Sequence, residues 1–336
     1  MQPTVLYPEG MYQDDTVEQA VFAGGARVVM RRTTRLAELD DADCAATDGL
    51  MIFRHHVSAA DLARFPRLRA IVRMGVGYDR IDRPAAAARG VLVCNVPDYG
   101  TTEVADHAVA LALALRRGLL LHHAAQRRDP PAPWSVIEDP AIRRASTQTF
   151  AILGLGRIGT AVALRARAFG HRVVFFDPYR PNGAELALGI DRAPSLEALL
   201  EQANTLSIHT PLTRETRGMI DGAALARLPR GAVVVNTARG PILDVDALHD
   251  ALRDGHVAGA GLDVLPIEPP DSGPVPRLLA AYRAHAPWLE GRLIITPHSA
   301  FHTPEAWADI RRKSAETMRA ALLTNRPQNV IAPEDD

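Results

Sequence analysis

The residues of this 336-residue chain whose types and positions suggest chemistry are Arg239, Glu268 and His298. Each follows a short apolar run. Arg239 closes Asn236-Thr237-Ala238-Arg239 after Val233-Val234-Val235, Glu268 lies in the connection after Gly261-Leu262-Asp263, and His298 ends Ile294-Ile295-Thr296-Pro297-His298. A guanidinium offers a planar fork that takes a carboxylate through two parallel hydrogen bonds, which an ammonium does less selectively. An imidazole gives or takes a proton near neutral pH, and a carboxylate beside it favours the charged form and keeps that proton available. Taken singly, an arginine after a strand is an ordinary surface residue and a lone histidine usually packs. Gathered at one edge of a sheet, the three suit reduction of a 2-oxo acid, with its carboxylate held and its developing alkoxide neutralised.

A second constellation is Gly154-Leu155-Gly156-Arg157-Ile158-Gly159, set between the apolar run Phe150 to Leu153 and a helix-forming run from Thr160 to Phe169. A glycine string alone is a weak sign, because glycines cluster in many turns. In this context the first glycine permits a tight turn, the second admits a pyrophosphate to the backbone, and the third lets helix and strand pack closely. The pyrophosphate then faces the positive end of the helix. The next strand, Val173 to Phe176, ends in Asp177, at the distance where a carboxylate accepts from both ribose hydroxyls and repels a 2′-phosphate. The cofactor read from this pattern is NAD rather than NADP, with Arg180 near enough to favour the phosphate instead.

Strand–helix alternation positions both constellations. In a first block, strands are expected at Met1 to Tyr7, Arg27 to Met30, Gly49 to Phe53, Ala70 to Arg73 and Val91 to Asn95, with helices such as Ser58 to Phe65 and Arg83 to Arg89. A long apolar helix from Val104 to Leu121 follows, then a proline-rich linker over 127–140. The second block offers strands at Thr149 to Leu153, Arg172 to Phe176, Thr205 to His209, Ala232 to Asn236, Gly259 to Asp263 and Leu293 to Thr296, as a doubly wound nucleotide-binding domain requires. The stretch 266–291 reads as an elaborated loop with a short helix, of which 270–292 is expected to shape or cover the site, and the last helix, Pro304 to Leu323, is expected to return to the first block.

Composition sets the frame. Hydrophobic residues make up 47% and charged residues 23%, enough for full cores in two domains, and a formal net charge of −1 leaves no electrostatic footprint for nucleic acid or an anionic membrane. Two cysteines, Cys44 and Cys94, have no paired spacing, no cluster has metal-ligand spacing, and the first residues lack a signal-peptide pattern; the expected compartment is the cytoplasm. Arg54, His55 and His56 follow the strand ending at Phe53 and are candidates for the distal end of a substrate, with a solvated loop as the plainer reading.

The chain resembles the D-isomer-specific 2-hydroxyacid dehydrogenases. The matching segments are Arg73-Met74-Gly75-Val76-Gly77-Tyr78-Asp79, Asn95-Val96-Pro97, Thr102-Glu103-Val104-Ala105-Asp106-His107, the glycine motif, His209-Thr210-Pro211-Leu212-Thr213, Asn236 to Gly240, Gly261 to Val264, Glu268-Pro269 and Thr296-Pro297-His298. Phe176 to Tyr179, Ala187 to Gly189 and Ala163 to Gly170 look most like the branch containing the C-terminal-binding protein corepressors and their bacterial relatives. The resemblance implies that Arg239, Glu268 and His298 are catalytic, with Arg239 and His298 also binding substrate. It implies that Gly154, Gly156, Arg157, Ile158, Gly159, Asp177, Thr102, His209, Thr210, Pro211, Thr216, Thr237, Ala238, Asp263, His298 and Ala300 surround NAD, with Asp263 at the carboxamide of the nicotinamide. Val76 and Gly77 fall in the substrate loop. Phe301 adds apolar surface near the substrate or only packs.

The expected α/β fold has two Rossmann-like domains with parallel sheets. A flavodoxin-like substrate-binding domain takes 1–100 and 301–336, and a doubly wound NAD-binding domain takes 101–300. The expected function is NAD-dependent interconversion of a 2-oxo acid and a D-2-hydroxy acid by a homodimer joined through the apolar helix. The alternatives are an NAD(H)-sensing corepressor-like protein, or a dehydrogenase of the same fold acting on a sugar acid, a phosphorylated acid or phosphite.

Overall fold

Every strand ladder in the computed structural model, which describes residues 2–324 and 326–334, is parallel. The chain divides into two units, 1–100 with 302–336 and 101–301, so Phe301 falls in the second. The expectation over 301–336 includes Asn325, Asp335 and Asp336, which lie outside the described residues.

In the first unit the strands are β1 (Thr4–Tyr7), β2 (Arg27–Met30), β3 (Gly49–Ile52), β4 (Ala70–Arg73) and β5 (Leu92–Cys94), in the order β2-β1-β3-β4-β5. That is the flavodoxin-like order. Its helices are α1 (Thr16–Phe22), α2 (Asp41–Ala46), α3 (Ala59–Ala63) and α4 (Arg83–Ala88). Helix α3 starts where Ser58 accepts from the Asp61 amide and Asp61 reaches back to the Ser58 amide, a capping box. Leu6, Leu50, Ile52, Leu62, Phe65 and Ile71 form the core of one face.

The second unit opens with α5 (Thr101–Arg116) and α6 (Leu119–Arg127). The helix expected from Val104 to Leu121 is broken at Gly118, which has φ +59° and where a Cβ would lie 2.6 Å from Ile142. The strands that follow are β6 (Thr149–Leu153), β7 (Arg172–Phe176), β8 (Asp191–Arg192), β9 (Thr205–Ile208), β10 (Ala232–Asn236), β11 (Val257–Leu262) and β12 (Leu293–Ile295). The helices between them are α7 (Arg157–Ala168), α8 (Ala184–Leu188), α9 (Leu196–Leu200), α10 (Gly222–Arg227), α11 (Val245–Arg253) and α12 (Arg277–Arg283). The sheet runs β12-β11-β10-β9-β6-β7-β8, a doubly wound order whose direction reverses between β6 and β9. Helix α13 (Pro304–Leu323) closes the first unit, where Gly49 lets Met318 approach β3.

The stretch 266–291 folds onto the second unit. Helix α12 buries Leu278 and Leu279, and Arg277 holds Asp246 and Asp250 of α11. Trp288 stands edge-on to His249, and Arg292 donates to the carbonyls of Leu252, Val257 and Ala258. It is a docked helical element on α11 and β11.

Candidate active site

The glycine turn has the features a dinucleotide needs. Gly154 sits at φ +90°, open to glycine and strained for other residues, and a Cβ there would lie 2.9 Å from the Thr210 backbone. A Cβ at Gly156 would meet nothing within 4 Å, so this side of the turn is open where the phosphates must approach. A Cβ at Gly159 would lie 2.1 Å from the Gly154 carbonyl oxygen, so the third glycine lets α7 pack directly on the turn. Gly156 caps α7 without a side-chain hydrogen bond, leaving the first amides of the helix for an anion. Among the described residues the buried hydroxyls of Thr210, Thr237 and Thr101 have no protein partner, while Thr102, the expected cofactor contact, is exposed and donates to Glu103. These residues fit NAD.

Asp177 ends β7 as expected. Its Oδ2 accepts from the Leu155 amide at 2.8 Å and its Oδ1 from the Tyr179 amide at 3.0 Å, so the carboxylate is fixed at the turn with lone pairs to spare. Arg180 donates to the Leu155 carbonyl at 2.6 Å and lies 3.9 Å from Asp177. The guanidinium is therefore held beside the carboxylate. Thr216 donates to the Pro211 carbonyl and fixes that loop, and His209 meets Ser207 at 2.8 Å. Burial pushes the His209 imidazole down to about 3, so it stays neutral.

The three catalytic candidates stand at the C-terminal ends of neighbouring strands. Arg239 follows β10, Glu268 follows β11 and His298 follows β12, and the sheet places β11 between the other two. His298 Nδ1 and Glu268 Oε2 are 2.6 Å apart. An ionised carboxylate only accepts, so the imidazole donates through Nδ1 and leaves Nε2 for a reacting oxygen. Glu268 also accepts from the Leu265 amide at 3.0 Å. Its burial alone would raise the carboxyl; the His298 bond and charge, the Leu265 amide and the charge of Arg239 together hold it below the ordinary range. Glu268 is thus ionised at neutral pH and accepts the Nδ1 proton of His298.

Arg239 is half-buried in extended backbone, φ −145°, and its guanidinium also donates to the Ala238 carbonyl. Asn236, at the buried end of β10, accepts from the Ala238 amide at 3.0 Å and donates to the Arg239 carbonyl at 2.9 Å. The glycine after Arg239 is needed for contact: a Cβ at Gly240 would lie 2.0 Å from the Leu265 backbone, the segment that donates to Glu268.

His298 itself has φ +52°, a conformation that costs a non-glycine residue about 1–3 kcal/mol. Asp263 holds it there. The His298 amide donates to the Asp263 carbonyl at 2.8 Å, while the Asp263 carboxylate accepts from Thr296 Oγ1 at 2.6 Å and from the Ser299 and Ala300 amides at 2.8 and 3.0 Å. The same carboxylate, expected beside the carboxamide of the nicotinamide, also clamps the turn that carries the imidazole.

The remaining substrate candidates, Phe301 excepted, belong to the first unit. Val76 and Gly77 lie after β4, where Asn95 donates to the Val76 carbonyl at 2.7 Å. After β3, Glu9 accepts from the amides of Phe53, Arg54 and His55, so an internal carboxylate fills the loop. Arg54 and His56 are exposed; His55 is buried, with Nε2 on the Thr33 carbonyl. Phe301 is buried in the second unit. Among the described residues no group of three His, Cys, Asp or Glu side chains is arranged to hold a metal ion, and no helix is long and apolar enough to cross a membrane.

Comparison with known proteins agrees with this geometry. Residues 109–300 match the family model described as D-isomer specific 2-hydroxyacid dehydrogenase, NAD binding domain. The D-3-phosphoglycerate dehydrogenase of Mycobacterium leprae (strain TN) is 37% identical over 323 residues, covering 94% of this chain and 57% of that protein. The chain therefore spans little more than half the length of the curated relatives it matches. The D-lactate dehydrogenase of Aquifex aeolicus, solved with NAD and lactic acid, superposes with a TM-score of 0.84 at 26% identity, covering 97% of this chain and 98% of that one. An NADPH-dependent glyoxylate/hydroxypyruvate reductase from Sinorhizobium meliloti, solved with NADP and malonate, gives 0.82 at 28% identity over 99% and 98% of the two chains. The chain belongs to the D-isomer specific 2-hydroxyacid dehydrogenase family, and its second unit is the NAD-binding domain of that family.

Proposed function

We propose that the chain is an NAD-dependent oxidoreductase interconverting a 2-oxo acid and a D-2-hydroxy acid. The observation that carries this reading is the 2.6 Å bond between His298 and an ionised Glu268, made within reach of the charge of Arg239. When bound, the reduced nicotinamide supplies the hydride to the carbonyl carbon. Arg239 takes the substrate carboxylate through its planar fork. His298 gives the Nε2 proton to the developing alkoxide, and Glu268 stabilises the imidazolium that precedes this transfer. In oxidation the same Nε2 takes the proton back.

The names of the relatives divide the substrate class. Kinship at 37% identity with D-3-phosphoglycerate dehydrogenases supports a phosphorylated acid, and the lactate and glyoxylate/hydroxypyruvate enzymes support a small unphosphorylated one. A narrower resemblance to the corepressors has only the sequence segments 163–170, 176–179 and 187–189 in its support. We read the chain as a homodimer of the reducing cytoplasm. Exposed Leu119, Trp134 and Val136 around α6 and its linker support the first point, and buried, unpaired Cys44 and Cys94 fit the second.

The test is a panel of glyoxylate, pyruvate, hydroxypyruvate, its 3-phosphate and branched or aromatic 2-oxo acids, each with NADH and with NADPH, followed by loss of reduced-nicotinamide absorbance and by chiral analysis of the product. Turnover giving the D-hydroxy acid supports the reading. No consumption of either coenzyme across the panel contradicts it.

A further inference from the structure

We infer that His107 is a positioning residue for the imidazole of His298, acting through Thr296 and Asp263. The inference rests on the function proposed above, in which His298 is the acid and base.

Residues 107, 111 and 115 recur at the four-residue spacing that lines one face of α5. That face is pressed onto β11. A Cβ at Gly261 would lie 2.9 Å from Leu111, and one at Gly259 would lie 3.1 Å from Leu115, so the two glycines admit the helix at close range. The helix is thereby registered against the strand, and the next residue of the stripe, His107, arrives at the strand's C-terminal end. Its Nε2 lies 3.0 Å from Thr296 Oγ1 and 3.9 Å from Asp263 Oδ1.

The direction of these bonds follows from their partners. Thr296 has one hydroxyl proton, and at 2.6 Å it goes to the Asp263 carboxylate, which can only accept. His107 must then donate Nε2–H to the Thr296 oxygen. The relay runs from His107 to Thr296 to Asp263, and the carboxylate ends it by accepting the Ser299 and Ala300 amides beyond His298. The backbone carbonyl of Asp263 takes the His298 amide. His298 is thus bracketed while it occupies a left-handed conformation. Without the His107 donor, the Thr296 hydroxyl keeps only its bond to Asp263, so the turn that carries His298 is held less tightly and the imidazole shifts relative to Glu268. His107 touches no reacting atom in this scheme.

Four variants test it: His107→Leu and Thr296→Val, which break the relay, and His107→Gln and Thr296→Ser, which keep a donor at the same place. For a substrate found in the panel, the breaking pair should lower kcat about tenfold or more with KM for the acid changed less than about twofold, and the conservative pair should recover to within about threefold. A second readout is independent of turnover. The rate at which diethylpyrocarbonate modifies His298, mapped by peptide mass, should shift about threefold in the breaking pair and stay near wild type in the conservative pair. The inference is overturned if His107→Leu keeps kcat and His298 reactivity near wild type. It is equally overturned if His107→Gln falls as far as His107→Leu, since that marks packing rather than a donor. Wild-type protein that turns over no acid would defeat the proposed function, and the His298 modification rates alone would then decide whether the relay exists.

Discussion

Asn236 grips Arg239 from both sides of the turn that presents it. One amide oxygen and one amide nitrogen, buried at the end of β10, close the Thr237-Ala238-Arg239 turn on itself and leave the guanidinium no slack in its backbone. Replacing Asn236 with Ala leaves the half-buried Ala238 N–H without this partner, at a cost of about 1–3 kcal/mol, and removes one of the two bonds to the Arg239 carbonyl, which keeps the Ile242 amide. The expected kinetic result is a rise of about tenfold or more in KM for the 2-oxo acid, with NADH affinity changed much less, because carboxylate capture depends on a fixed guanidinium. Steady-state kinetics with each substrate varied in turn decides it. An unchanged KM for the acid would mean that Arg239 needs no such support.

The cofactor preference rests on Asp177 holding its place beside Arg180. Asp177→Ala removes the carboxylate that repels a 2′-phosphate and leaves Arg180 able to receive one. The ratio of kcat/KM for NADPH over NADH should rise about tenfold or more. If the wild type already prefers NADPH, as the Sinorhizobium reductase is named for doing, the assignment from this carboxylate fails.

Acid sensitivity should come in part from His209. Its folded value lies near 3, well below the ordinary histidine value, so the unfolded chain binds the extra proton as pH falls through about 6.5 and the folded chain does not. Stability therefore rises with pH over the window between those two values. From pH 7 to pH 5 this single group should remove up to about 2 kcal/mol. His209→Gln retains a hydrogen-bonding partner for Ser207 and lacks the titration. Urea unfolding of both proteins at the two pH values should show the smaller loss in the variant; parallel losses would assign the acid sensitivity elsewhere.

Much of the architecture is legible in the sequence because a parallel strand buried on both faces reads as a bare apolar run. Val233 to Val235, Val173 to Phe176 and Phe150 to Leu153 are such runs, and each forms a strand at the expected place. Strand β8 was missed because Asp191 and Arg192 make a two-residue edge strand with no apolar face. The break at Gly118 was hidden by the Ala- and Leu-rich composition around it, although a glycine after Arg117 is itself a helix-end signal. The site divides the same way. Arg239, Glu268 and His298 sit after strands and match an ordered family pattern, so they were visible. The support they receive was not. His107 and Thr296 are 189 residues apart, and only the fold makes them neighbours. Asp263 is legible as a site residue, but nothing in Gly261-Leu262-Asp263 reveals that its carboxylate also closes onto Thr296, Ser299 and Ala300.

The most direct test of the whole account is turnover by His298→Ala, measured beside NADH binding by fluorescence. The account predicts coenzyme binding within about threefold of wild type and a kcat for 2-oxo acid reduction at least about a hundredfold lower, the loss of a positioned acid. Near-normal turnover with the imidazole removed would contradict the central claim that the Glu268–His298 pair carries the proton.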